Sequence, residues 1–262
     1  MILTMKKICF VAFAIIICSS CQDEIIIQEF EDGFYTINSY WSTSETNSSD
    51  NFKIVDDPVN KDNKALQFRL FPEDYNSNGK RNEFILKTKD TIGLKVEYSF
   101  DFLFHPEFFK KKEKDWIMIH QWHDRPPKGV SWKNYKMFTR PPIHLYIQLN
   151  PSGEYYLVYA YGLRNKEMRK IEHIKIEKPL EPNQWYTFEN TVFWETSNRA
   201  YSVPKINNEY FINAEVDVEH KIYGANMFNN VPNYFKMGLY GNNKSQDTVS
   251  VLIDNFKYKL KK

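Results

Sequence analysis

Lys95-Val-Glu-Tyr-Ser-Phe-Asp-Phe-Leu-Phe104 alternates apolar and polar side chains with a period of two. In an extended strand Val96, Tyr98, Phe100, Phe102 and Phe104 share one face, while Lys95, Glu97, Ser99 and Asp101 share the other. Similar runs recur at Lys64–Leu70, Trp116–His123, Ile143–Leu149, Glu154–Tyr161, Trp185–Trp194, Tyr234–Tyr240 and Val249–Tyr258. Turn-forming pieces separate them, among them Asn76-Ser-Asn-Gly79, Arg125-Pro-Pro-Lys-Gly129 and Asn150-Pro-Ser-Gly153. Helical periodicity is scarce. Many strands with turns between them predict an all-β sandwich.

The 262 residues suit a single domain of that kind, and no repeat, long linker or composition break divides them after about residue 25. Aromatic residues make up 16% of the chain, a share that serves β-sheet cores and sugar-binding grooves alike. A net charge of +2 lacks the basic excess of a nucleic-acid binder. Lys110-Lys-Lys112 reads as a solvated loop.

All three cysteines, Cys9, Cys18 and Cys21, lie near the N-terminus, so the folded part has no disulfide of its own. Lys6 and Lys7 precede an apolar run from Ile8 to Cys18, followed by Ser19, Ser20 and Cys21. That order is a secretory signal, and the run is too short to span a bilayer, which takes about 20 apolar residues. The small residues before Cys21 resemble a bacterial lipoprotein signal, with Cys18 standing where such signals usually have Leu. The expected organisation is a signal over residues 1–20, a tether over 21–33 that starts at a lipid-bearing Cys21, and a β-sandwich over 34–262. An ordinary secreted protein is the alternative. The expected location is the bacterial cell envelope, on the outer membrane or in the periplasm, and the expected state is a monomer.

Three segments gather polar side chains with the strand period. Arg81 and Glu83 of Arg81-Asn-Glu-Phe84 share a face, as do Gln121 and His123 of Gln121-Trp-His123. Tyr234, Lys236, Gly238 and Tyr240 share a third. In this order the segments resemble the Arg-x-Glu, Gln-x-His and Tyr-Phe-Lys-x-Gly-x-Tyr strands of the jelly-roll polysaccharide lyases, of concanavalin A-like fold. The resemblance covers roughly residues 65–258. Gln121-Trp-His-Asp-Arg-Pro-Pro127 and Arg140-Pro-Pro-Ile-His-Leu145 are closer to the heparin-lyase-like group than to the alginate lyases. Where alginate lyases place a second Arg after Arg-x-Glu, this chain has Ile85, Leu86 and Lys87, which points away from alginate.

The resemblance implies β-elimination on an acidic, uronate-containing polysaccharide, without an organic cofactor. Such a lyase removes the C5 proton of a uronic acid and expels the 4-linked sugar. Donors and cations on the carboxylate stabilise the enolate-like charge that develops. Arg81, Gln121 and Lys236 suit that work. The resemblance assigns His123 to the C5 proton or to the carboxylate, and Tyr240 to the leaving oxygen or to both proton transfers. Cations near Tyr240, such as Lys236 and Arg81, would favour its phenolate over the usual phenol with a pKa of about 10. Glu83 is expected to order Arg81. Tyr234, Asn190 and Arg69 are further candidates to bind substrate, while His120 and His144 read as structural. No phosphate loop or Cys/His zinc spacing is present. Structural calcium would fit such a sandwich, but no acidic cluster points to it. A lectin-like binding module on the same fold would not need the full set of Gln121, His123, Lys236 and Tyr240. A glycoside hydrolase would need two carboxylates flanking the bond, and no Glu-x-Asp-x-Glu strand supplies them.

Overall fold

The computed structural model describes residues 24–28, 41–44, 46–76, 79–86, 88, 90–110, 116–135, 141–165, 170–175, 179–211, 218–241 and 247–261. The signal, all three cysteines, Lys111, Lys112 and Arg140 lie outside the described residues. In chain order the strands are β1 Glu24–Gln28, β2 Trp41–Ser44, β3 Phe52–Asp56, β4 Lys64–Leu70, β5 Tyr75–Asn76, β6 Gly79–Leu86, β7 Lys95–Leu103 and β8 Trp116–His123. There follow β9 Ile143–Leu149, β10 Tyr155–Asn165, β11 Lys170–Lys175, β12 Trp185–Phe193, β13 Tyr201–Ile206, β14 Glu209–Tyr210, β15 Ile222–Tyr223, β16 Tyr234–Gly241 and β17 Val249–Lys261. A short helix, α1 Pro106–Lys110, follows β7.

The strands form two antiparallel sheets packed as a jelly-roll sandwich. The first sheet runs β14-β13-β12-β7-β17-β4-β3, with β1 paired to β17 and β15 to β13. The second runs β11-β10-β9-β8-β16-β6-β2, with β5 paired to β6. Each strand that alternation predicts is present, with ends shifted by a few residues. Strand β7 shows the rule: Val96, Tyr98, Phe100 and Phe102 are buried, while Lys95, Glu97, Ser99 and Asp101 are half-buried. Their apolar faces meet Phe84, Trp122 and Phe235 of the second sheet in one core.

Alternation fails where both faces of a strand are covered. All but one residue of β6 is buried, so its sequence, Gly-Lys-Arg-Asn-Glu-Phe-Ile-Leu, carries no period of two. It also fails at a bulge. In β17 the core residues are Val249, Val251 and Ile253, then Phe256, Tyr258 and Leu260. The phase slips by one at a register shift between Asp254 and Lys257, where Asn255 has φ 50°. Asn tolerates that left-handed conformation better than most residues. The slip hands β17 from β4 to β1. Within the segment expected as a tether, 21–33, Glu24–Gln28 is a strand of the first sheet.

Polar side chains also bridge the sheets. Ser202 Oγ donates to Asn190 Oδ1 at 2.7 Å. Asn190 Nδ2 donates to the hydroxyls of Tyr98 and Tyr159 at 3.0 and 2.9 Å. Tyr98 Oη lies 2.8 Å from His120 Nε2, and His120 Nδ1 lies 3.2 Å from the Lys236 carbonyl. With Nδ1–H donating to that carbonyl, the Tyr98 hydroxyl donates to Nε2, and the chain of donors closes. Asn190 is thus a core residue, 2% exposed, with its side chain spent on bonds between the sheets. His120 is structural. Burial, aided by nearby His144 and opposed by the Lys236 carbonyl, pulls its pKa down to about 3.

This gives a pH signature. Unfolded histidine takes up a proton near pH 6.5, whereas folded His120 stays neutral until about pH 3, so acid favours the unfolded chain. The His120 share of stability is complete above pH 6.5 and is lost as pH falls, at about 1.4 kcal/mol per unit. Urea unfolding at pH 7 and pH 5 should show a drop of about 2 kcal/mol from this residue, absent in His120→Gln. An equal pH slope in both proteins would refute the assignment.

Candidate functional site

The second sheet sets β6, β16, β8 and β9 side by side, and their register decides which side chains meet. Tyr240 stands opposite Arg81, and Gly238 opposite Glu83. Lys236 stands opposite Gln121, and Tyr234 opposite His123. On β9, His144 stands opposite Gln121. The core residues Phe84, Leu86, Phe235, Met237, Trp122 and Leu145 occupy the alternate positions. The three motifs therefore present Arg81, Glu83, Gln121, His123, Tyr234, Lys236 and Tyr240 on one face, away from the core.

Glu83 is the centre of this face. It is 2% exposed and accepts from Gln121 Nε2 on Oε1 at 2.5 Å. Its Oε2 lies 3.5 Å from Lys236 Nζ and 3.9 Å from Arg81 Nη1. Gln121 and Lys236 are each 1% exposed. Glu83 was expected to serve Arg81. It holds Gln121 and Lys236 more closely, for a physical reason: two nearly inaccessible polar heads need a partner more than Arg81 does. Together Arg81, Lys236 and Glu83 leave one positive charge here, counting formal charges alone.

Gly238 makes the arrangement feasible. At this residue φ is 143°, and a Cβ would lie 2.2 Å from the Asn82 carbonyl oxygen. Only glycine lets β16 come so close to β6 while its pairing with β8 shifts between Met237 and Tyr240. The Gly in Lys-x-Gly-x-Tyr thus sets where Tyr240 stands.

Tyr240 lies at one end of the face. The Arg81 guanidinium sits 4.0 Å from its ring centroid, and the Trp116 ring packs edge-on at 5.3 Å. The ring occupies space that any side chain at Gly79 would fill, since a Cβ there would meet Tyr240 Cε2 at 2.2 Å. The cation against Tyr240 is therefore Arg81, whereas the Lys236 ammonium reaches Glu83 and lies 5.6 Å from the Tyr234 ring.

His123 lies at the other end. Its ring stacks on Tyr234 at 5.7 Å, and the Arg125 guanidinium covers the same Tyr234 ring at 4.6 Å. His123 Nδ1 is 3.0 Å from the Asp124 carbonyl oxygen and 3.0 Å from Asp124 Oδ1. Nδ1 donates to that carbonyl, which leaves Nε2 as the open ring nitrogen. Five positions of β8 separate His123 from Met118, the residue opposite Tyr240, about 17 Å of strand. His123 and Tyr240 thus flank the Glu83 centre from opposite ends, and no described contact joins them.

Arg69 does not reach this face. It projects from β4 of the first sheet, donates to the Asp50 carbonyl and covers the Phe71 ring at 5.0 Å. Its strand neighbours Phe68 and Leu70 take the core positions, so Arg69 points away from the core. Two residues that sequence reasoning passed over, and His144, which it read as structural, border this face. Asp124 is 1% exposed beside His123, and Trp116 packs on Tyr240. His144 shares the outer face beside Gln121, with Nδ1 3.1 Å from the Pro141 carbonyl. Its signal was Ile-His-Leu in Arg140–Leu145, where a polar residue interrupts an apolar strand. Among the described residues no group of three or more His, Cys, Asp or Glu could hold a metal ion.

A family profile described as Polysaccharide lyase matches residues 34–257. No curated protein matches the chain. Among solved structures it is similar to an endo-β-1,4-glucuronan lyase from the fungus Trichoderma reesei, with a TM-score of 0.62 and 14% identity over 89% of this chain and 94% of that one. An alginate lyase gives 0.56 and 10% identity over 91% and 96%. The catalytic domain of a glycoside hydrolase family 131 protein from Coprinopsis cinerea gives 0.54 and 10% identity over 86% and 84%. At such identities these likenesses show the fold. That a lyase and a hydrolase share it means the reaction must be argued from the family match and the site.

Proposed function

Since the chain belongs to the polysaccharide lyase family, we propose that it cleaves a uronate-containing polysaccharide by β-elimination at the face centred on Glu83. The observation that carries this reading is the pairing of a fixed donor cluster with a separate phenol. Glu83 holds Gln121 and Lys236 in place, and Arg81 bridges from Glu83 to the Tyr240 ring. A uronate carboxylate set at this face meets the positive charge that Arg81 and Lys236 leave over Glu83, from groups already held in place.

Two proton movements complete the reaction. A base takes the C5 proton, the electron pair forms the C4–C5 double bond, and the C4–O bond breaks as its oxygen is protonated. We assign both proton transfers to Tyr240, beside which the Arg81 charge offsets a phenolate: the C5 proton and the leaving oxygen lie on one side of the sugar, and Tyr240 takes the first and protonates the second. His123, at the far end of the face with its ring held by the Asp124 carbonyl and Tyr234, binds a neighbouring sugar of the polymer. A hydrolase would need a second carboxylate across the bond, whereas Glu83 is committed to its own donors.

The missing second Arg points away from alginate and leaves a glucuronan-like or heparin-like polymer as the proposed substrate. Incubating the mature protein with a panel of uronate polymers should give rising absorbance near 230 nm, where an unsaturated uronate absorbs, on at least one of them. Silence on every polymer with binding retained would replace the enzyme by a lectin-like binder. We further propose that Cys21 carries a lipid anchoring the enzyme to the bacterial cell envelope. Palmitate labelling lost in Cys21→Ala would bear this out, and labelling kept in that variant would refute it.

A further inference from the structure

The outer face of the first sheet carries an open groove of about 510 Å³ that the reaction leaves unused. Strand register lays it out in rungs. Lys205, Glu189, Ser99 and Lys257 stand side by side across β13, β12, β7 and β17. In the next rung stand Val203, Thr191, Glu97 and Lys259. The alternate positions Tyr98, Asn190 and Tyr258 are buried, so these rungs face outward.

Charge and shape are both polarised. The lining has five lysines, Lys95, Lys205, Lys221, Lys257 and Lys259, against two glutamates, Glu97 and Glu189. The short side chains Ser99 and Thr191 lie mid-rung beside Glu189 and Glu97, with Lys205 and Lys257 at the ends of the first rung and Val203 and Lys259 at the ends of the second. One rim is aromatic: Lys205 Nζ lies 4.7 Å from the Tyr210 ring and Lys221 Nζ 4.8 Å from the Tyr201 ring. Ile25 and Ile27 of β1 border the other side, both more than half exposed. Lysines two positions apart on a strand stand about 7 Å from one another, a spacing suited to the repeating charges of an extended polyanion. Sugar rings offer apolar faces to tyrosine and carboxylates to lysine.

We propose that this groove is a second, non-catalytic binding site for an acidic polysaccharide chain, on the sheet opposite the catalytic face. The proposal takes its ligand class from the β-elimination reading. It keeps polymer on the enzyme between cuts and makes affinity depend on chain length, because a long chain engages both faces and a short one does not. The concave floor between lysines favours a chain over an anionic bilayer, which would meet a flat or convex surface.

Affinity electrophoresis through gels containing polyglucuronate or alginate tests it. Lys257→Gln/Lys259→Gln should weaken retardation by about tenfold, the worth of two charge contacts. Turnover of a tetrasaccharide, too short to span both faces, should stay at the wild-type level. Lys257→Arg/Lys259→Arg should be retarded like the parent. Thr191→Glu, which puts a further negative charge on the floor, should lower retardation at least as far as the Gln pair, down to what the catalytic face alone supports, with its own melting temperature as the folding control. Unchanged retardation in both the Gln pair and Thr191→Glu would overturn the proposal. So would loss of binding to phosphatidylglycerol vesicles with polymer retardation intact, because that face would then dock to a membrane. If no polymer is cleaved, the catalytic reading fails, while the same gels still decide whether the groove binds.

Discussion

Tyr240→Phe should lower kcat/KM on the cleaved polymer by about a thousandfold, within the range expected for a lost general acid. The substitution removes one oxygen. The ring remains, and with it the contacts that position it: Arg81 at 4.0 Å, Trp116 at 5.3 Å and the open space at Gly79. Tyr240 is only half-buried and packs at the rim of the face, so the fold should be unaffected. Polymer binding should also persist, since the carboxylate partners Gln121 and Lys236 are untouched. The measurement is initial rate at 230 nm beside retardation in polymer gels. Turnover within tenfold of the parent would remove Tyr240 from the reaction. A comparable loss in His123→Ala with normal turnover in Tyr240→Phe would move both proton transfers to the histidine end.

Glu83→Ala should damage both stability and activity, and the first effect is the larger surprise for a residue that makes no bond in the reaction. Lys236 is 1% exposed and Arg81 8%, and both turn toward this carboxylate. Removing it leaves buried positive charge without its counter-charge, a change that costs about 3–5 kcal/mol. For a chain of this size that lowers the melting temperature by about 10 °C. Gln121 also loses the acceptor at 2.5 Å that holds its amide. A carboxylate receptor displaced by about 1 Å costs on the order of a hundredfold in rate. Glu83→Gln separates the two effects, because it keeps an acceptor for Gln121 and loses only the charge. It should recover more activity than stability. Glu83→Ala with a parental melting temperature would show that Lys236 and Arg81 find other counter-charges.

The sequence by itself determined the sandwich and the chemistry of one face. Period-two alternation in Lys95–Phe104 and its counterparts is written residue by residue, because each strand of a half-buried sheet must tell core from water locally. The polar pairs Arg81/Glu83, Gln121/His123 and Lys236/Tyr240 follow from the same period, and their order in the chain carried the family resemblance. What one strand cannot encode is its neighbour. Only the tertiary structure set β6 beside β16 and β16 beside β8, making Glu83 the hub of Gln121 and Lys236 and giving Arg81 to Tyr240. Only the packed sheets showed that Asn190 turns inward to Tyr98 and Tyr159, since its strand has a polar residue on its core side. Arg69 went astray for a similar reason: its alternation was right, but it belongs to the other sheet. Alternation names the two faces of a strand, whereas register and layer, which fix the partners of each face, are settled by contacts between residues far apart in the chain.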